Sequence, residues 1–136
     1  MDSVFQKLNL KTQREIVVFN VPESFEPELA RLESVKIVRD PKKPAGVEFA
    51  LAFVRHQAEL DRLSKILAAR SVADALLWFA YPKGTSKRYT CDFNRDAGWH
   101  VIRDAGFDSV RQVAIDADWS ALRFRRVEHI KSHVSR

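Results

Sequence analysis

Three stretches of this chain are apolar without alternation: EIVVFN (Glu15 to Asn20), VEFALAFV (Val47 to Val54) and ALLWFAY (Ala75 to Tyr81). Short continuous runs rich in β-branched and aromatic residues suit strands buried on both faces. The third is the most apolar and predicts the centre of a sheet. Three further runs predict strands. Val35 to Val38 is followed by RDPKKPAG, whose prolines and glycine make a turn or excursion, so this short strand suits a sheet edge. Ser109 to Asp116 and Trp119 to Val127 close the chain, separated only by Asp116-Ala117-Asp118. In the second of them Ser120, Leu122 and Phe124 share one face, and Ala121, Arg123 and Arg125 share the other.

Helical spacing fills the gaps. Val4, Phe5 and Leu8 predict a helix within Met1 to Gln13, packed on the body as an arm. Pro27 opens a short helix to Glu33, where a proline suits the first turn. Leu60, Leu63, Ile66 and Leu67 mark an amphipathic helix over Gln57 to Arg70. Asn94 to Ala105 predicts a last helix, capped by Asp92 or Asn94 and stopped by Gly106.

Strands alternating with helices imply right-handed crossovers and a parallel sheet covered on both sides. The closing pair has too short a connection for a crossover and must be antiparallel. The expectation is a single α/β domain over 1–136: a three-layer Rossmann-like sandwich, with 1–13 as an arm and 128–136 as a frayed tail. This order of elements resembles the fold of the S-adenosylmethionine methyltransferases. There the last strand inserts beside the central one, so the resemblance implies the strand order 2-1-3-4-6-5. More narrowly, LLWFAYPKG, DAGW and VAIDADWSALRFR resemble a bacterial family of domains of unknown function. The matching positions are Pro82, Lys83, Trp99, Asp116, Trp119, Ser120 and Arg123. That likeness implies a fold and a bacterial origin, and no activity.

Charge adds a modest bias. Lys and Arg number 23 against 18 Asp and Glu, a net +5, which favours an anionic partner without naming one. No apolar stretch approaches the roughly 20 residues of a membrane helix, and the N-terminus has no signal-peptide core, so the expected compartment is the cytoplasm. The one cysteine, Cys91, excludes an internal disulfide and reads as a bystander thiol rather than a nucleophile.

Candidate chemistry is sparse. Cofactor sites in Rossmann-like folds use a glycine-rich turn after the first strand, which frees backbone amides for the ligand. Here that turn is FNVPESFEP, with two prolines, two glutamates and no glycine. No cofactor is expected. Asp40, the nearest acid after the second strand, reads as a turn residue before Pro41. PKGTSK lacks the GxxxxGK[ST] spacing of a phosphate loop, the serines lack a GxSxG elbow, and no metal set is expected from His129 and His133.

What remains is the rim at the carboxyl ends of the parallel strands, where such folds bind ligands. The candidate ligand-binding residues there are Asn20, His56, Tyr81, Lys83, Asp118 and Trp119, with Pro22, Arg55 and Asp116 nearby. Lys83 reads either as an anion contact or, preferably, as an ion-pair clamp to Asp116 or Asp118. Trp119 reads either as a stacking platform or, preferably, as core. The expected role is a non-catalytic module that binds a small anionic molecule or a protein partner. The alternatives are a small enzyme using Lys83 and Asp118 as a charge pair, and nucleic-acid binding through Arg123, Arg125, Arg126 and Lys131. A homodimer through the arm or the edge strand is a further option.

Overall fold

The computed structural model describes residues 4–40, 42, 46–94 and 96–130. The first residues of the arm, most of the PKKPA stretch, Arg95 and the tail from Lys131, with His133, lie outside the described residues.

The strands are β1 (Glu15–Phe19), β2 (Lys36–Val38), β3 (Val47–Phe53), β4 (Ser71–Pro82), β5 (Phe107–Ala114) and β6 (Trp119–Arg126). The helices are α1 (Val4–Lys7), α2 (Glu26–Ala30), α3 (Gln57–Arg70) and α4 (His100–Asp104). One six-stranded sheet has the order β2-β1-β3-β4-β6-β5. The β2, β1, β3 and β4 strands run parallel, and β6 is antiparallel to both β4 and β5. This is the α/β sandwich that the sequence predicts, with the strand order that the methyltransferase resemblance implies.

Apolar clusters cover both faces of the sheet. On one, Leu60, Leu63 and Leu67 of α3 and Ile102 of α4 pack on Phe79, Tyr81, Leu122 and Phe124, with Trp99 among them. On the other, Phe5 and Leu8 of the arm and Phe25 and Leu29 around α2 pack on Ile16, Phe49, Phe53 and Trp78. Helices of four or five residues have no stability of their own in water. Their buried anchors hold them, aided by Trp78 Nε1 donating to the Leu8 carbonyl at 2.9 Å.

Three boundaries differ from expectation. The N-terminal helix ends at Lys7, and Asn9 turns the chain with φ of 65°. β4 starts at Ser71, directly after α3, because a register shift against β3 and Ala73 at φ 48° absorb the turn. The last helix is only His100–Asp104. No helix starts at Asn94: its Oδ1 accepts from Asp96 N at 2.8 Å, and Gly98 takes φ of 106°. Asp92, expected to cap that helix, caps another; its Oδ1 accepts from Gln57 N, at the start of α3, at 2.6 Å.

Candidate functional site: two cavities at the carboxyl rim

The carboxyl ends of β1, β3 and β4 open on one rim. β5 runs in the same direction, so the turn between β5 and β6 lies there too. Two cavities open along this rim.

The larger, of about 810 Å³, lies between the end of β4 and the segment that follows it. Tyr81, Lys83, Tyr89, Phe93, Gln112 and Ser120 line it, with Thr85, Ser86 and Thr90. Tyr81 is buried, its ring is 6.2 Å from Phe93 and 5.7 Å from Trp99, and its hydroxyl accepts from Gln112 Nε2 at 3.0 Å. Tyr81 and Ser120 are cross-strand partners, so both reach the cavity from the same side of the sheet.

Ser86 organises the segment. Its hydroxyl donates to Asp118 Oδ1 at 2.8 Å and accepts from the backbone amides of Arg88 and Tyr89, both at 3.2 Å. Lys83 N donates to the Asp118 carbonyl at 2.8 Å, and Ser86 N donates to the Lys83 carbonyl at 3.0 Å. The hairpin is therefore fastened to the central strand at Lys83, but by its backbone and by Ser86. Among the described residues no ion pair joins the Lys83 ammonium to Asp116 or Asp118. Asp116 is occupied within its own turn, with Oδ1 accepting from Asp118 N and Trp119 N at 2.8 and 2.9 Å.

The smaller cavity, of about 430 Å³, is lined by Asn20, Glu23, Arg55, His56, Glu59 and Trp119, with Pro22, Phe53 and Tyr89. Asn20 has φ of 56° and its Nδ2 donates to the Phe53 carbonyl at 3.2 Å, closing the gap between the ends of β1 and β3. His56 is exposed, with Nδ1 3.8 Å from the Asp92 carboxylate. Trp119 is 3% exposed and packs edge-on to Phe53 at 5.1 Å, so the core reading holds for its ring. Its indole N–H is buried without a partner.

The six candidates thus divide. Tyr81 and Lys83 line the larger cavity, Asn20, His56 and Trp119 the smaller, and Asp118 is held by Ser86 and Lys83 N beside them. Tyr89 lines both cavities, is 5.0 Å from the Trp119 ring and lies under the Arg55 guanidinium at 5.4 Å. Sequence reasoning missed Tyr89 and Gln112. The signal for Gln112 was its register with the inward-facing Leu122; the signal for Tyr89 was a lone ring within a basic loop.

Cys91 lines the larger cavity, but burial pushes its pKa up, and the nearby Asp92 adds to that against a backbone hydrogen bond from Phe93. A raised pKa keeps the thiol protonated and weakly nucleophilic. Among the described residues no three His, Cys, Asp or Glu side chains are placed to hold a metal ion, and no helix is long and apolar enough to cross a membrane.

No family model matches the chain, and no curated protein does. Solved structures match. An S-adenosylmethionine-dependent methyltransferase from Aquifex aeolicus superposes with a TM-score of 0.68 at 14% identity, over 91% of this chain and 88% of that one. The magnesium protoporphyrin IX methyltransferase from Synechocystis PCC 6803, with bound SAH, gives 0.59 at 10% identity over 90% and 78%. The [4+2]-cyclase SpnF gives 0.61 at 9% identity over 90% and 78%. The fold is methyltransferase-like. At these identities the likeness concerns the fold alone.

A methyltransferase-like fold implies S-adenosylmethionine at the turn after β1, and the residues of that turn do not fit it. Pro22 and Pro27 carry no N–H, and Phe25 N is spent on the Pro22 carbonyl at 2.9 Å. The turn is a 3-10 turn, Glu23–Phe25, that drives Phe25 into the core, 5.0 Å from Phe53 and 5.8 Å from Phe5. The Glu23 carboxylate is left lining the smaller cavity, where it would oppose a carboxylate or phosphate.

Proposed function

We propose that this chain is a non-catalytic binding module of methyltransferase-like fold, whose ligand enters the larger rim cavity. The observation that carries this reading is the turn after β1, which has no glycine, buries Phe25 in the core and spends its amide on the Pro22 carbonyl. The chemistry of the larger cavity supports a ligand with a flat apolar part and one anionic group. The rings of Tyr81, Tyr89 and Phe93 line it, and the Lys83 ammonium, half-buried and without an ion pair among the described residues, supplies the countercharge. The enzyme alternative is weaker because Asp118, its partner for Lys83, accepts from Ser86 instead.

The test has two arms. Calorimetry with S-adenosylmethionine and its demethylated product is expected to show no binding; micromolar binding would overturn the non-catalytic reading. A thermal-shift panel of small aromatic carboxylates is expected to yield ligands whose affinity falls at least about tenfold in Lys83→Ala, the size of one charge-assisted hydrogen bond. Ligands that bind Lys83→Ala unchanged would place the site elsewhere.

A further inference from the structure

We propose that the β5–β6 hairpin carries a second ligand site, away from the rim, in which Arg111 and Arg123 together hold a phosphate-like oxyanion. The sequence groups the arginines of the last strand into one basic patch; the structure separates them. Arg126 lies over the Phe107 ring at 4.8 Å and its Nη2 donates to the Ser71 carbonyl at 2.8 Å. Arg125 is bound in bidentate fashion by Asp74, at 2.8 and 2.6 Å. Both are occupied by the protein.

Arg111 and Arg123 are not. A register shift between Ser109 and Arg111 brings Arg111 directly opposite Arg123 on the paired strands. Like charges in cross-strand register repel, and among the described residues neither has a carboxylate partner. The nearby acid, Asp74, is already taken by Arg125. Arg123 is also half-buried, and its Nε–H is enclosed without an acceptor. Burial first, and then Arg125 and Arg111, push its pKa down against the pull of Asp74. A pair of guanidiniums that repel each other, one with an orphaned buried donor, is completed by an oxyanion between them. Its oxygens would accept from the terminal forks of both arginines, the geometry in which arginine exceeds lysine.

The surroundings favour a small phosphorylated molecule or free phosphate over a single-stranded nucleic acid. The neighbours on this side of the sheet are Val113, Ala121 and the fully buried Trp78, so among the described residues no exposed ring beside the pair offers a base a stacking surface.

The probe is inorganic phosphate, titrated by thermal shift and calorimetry against sodium chloride of equal ionic strength. A single-stranded oligonucleotide serves as the second arm. Saturable stabilisation by phosphate is expected, weakened at least about tenfold in Arg111→Gln and in Arg123→Gln, and unchanged in Lys65→Gln, an exposed cation of α3. Arg111 is exposed, so its variant keeps the fold and decides the matter even if Arg123→Gln is unstable. No phosphate effect beyond chloride, or an effect that Arg111→Gln leaves intact, overturns the proposal. Oligonucleotide binding without phosphate binding overturns it as well. The rim reading is tested with aromatic carboxylates against Lys83→Ala and this one with phosphate against Arg111→Gln, so failure of either leaves the other standing.

Discussion

Ser64 is buried in α3 with a hydroxyl that meets no partner. Removing an unsatisfied buried hydroxyl relieves a desolvation penalty, and alanine is the better helix former. Ser64→Ala is expected to raise stability by about 1 kcal/mol in urea denaturation; a loss would mean the hydroxyl has a partner in solution. Other single residues were legible to different degrees. The burial of Trp78 followed from its place in the most apolar run. The role of Lys83 did not: an ion pair with the DADW turn fits the sequence equally well, yet Ser86 reaches Asp118 first and the backbone of Lys83 completes the fastening. Gly98 shows a similar blindness. Its φ of 106° and the 2.6 Å approach that a Cβ there would make to Gln57 Oε1 fix a tight meeting of α3 with the loop before α4. Nothing local in DAGW announces that meeting.

At the scale of elements, α3 was the clearest reading, because its apolar stripe runs unbroken and has only one face to bury. Its cap was unreadable. His56, the residue before the helix, makes no side-chain capping bond; Asp92 does so from the far end of the loop that follows β4. Such a cap is tertiary, and no sequence spacing encodes it. Asp92→Ala is expected to cost about 1 kcal/mol and to speed amide exchange in the first turn of α3 while leaving its last turn unchanged. Equal exchange along the helix would show that the cap is not used. The expected helix over 94–105 failed for a related reason. Asn94 uses its own side chain to accept from Asp96 N, competing locally with helix formation. Trp99 then anchors the turn, with Nε1 donating to the Asn94 carbonyl at 2.8 Å.

At the scale of the whole molecule, arginine–carboxylate pairs tie separate segments together. Arg39 holds Glu26 and Arg125 holds Asp74, each through two hydrogen bonds. In both cases the hydrogen bonds from arginine hold the carboxyl below its ordinary value. A depressed folded-state pKa stabilises the fold above the ordinary carboxyl range, and that stability is lost as pH falls through the lowered value. Asp74→Asn is therefore expected to be less stable at pH 7 and to show a shallower decline of Tm on acidification; an unchanged acid limb would remove Asp74 from the account. The mostly parallel sheet with its antiparallel close was open to the sequence because continuous apolar runs, one tight turn and the crossover rule admit few arrangements, and the resemblance supplied the insertion of β6 beside β4. The division of the rim into two cavities was not, since one ring, Tyr89, from an irregular loop, lines both.

The sheet order also bears on how the chain is made. β6 lies between β4 and β5 although it is translated after both. The parallel strands β2, β1, β3 and β4 emerge from the ribosome in time to pair with one another. The outer edge of β4 and the whole of β5 then wait, since each pairs there only with β6. Until β6 has left the ribosome, the growing chain carries an open strand edge at its most apolar strand, the kind of edge that invites association with other chains. The strand that carries Arg123 is thus also the one that ends this period of exposure.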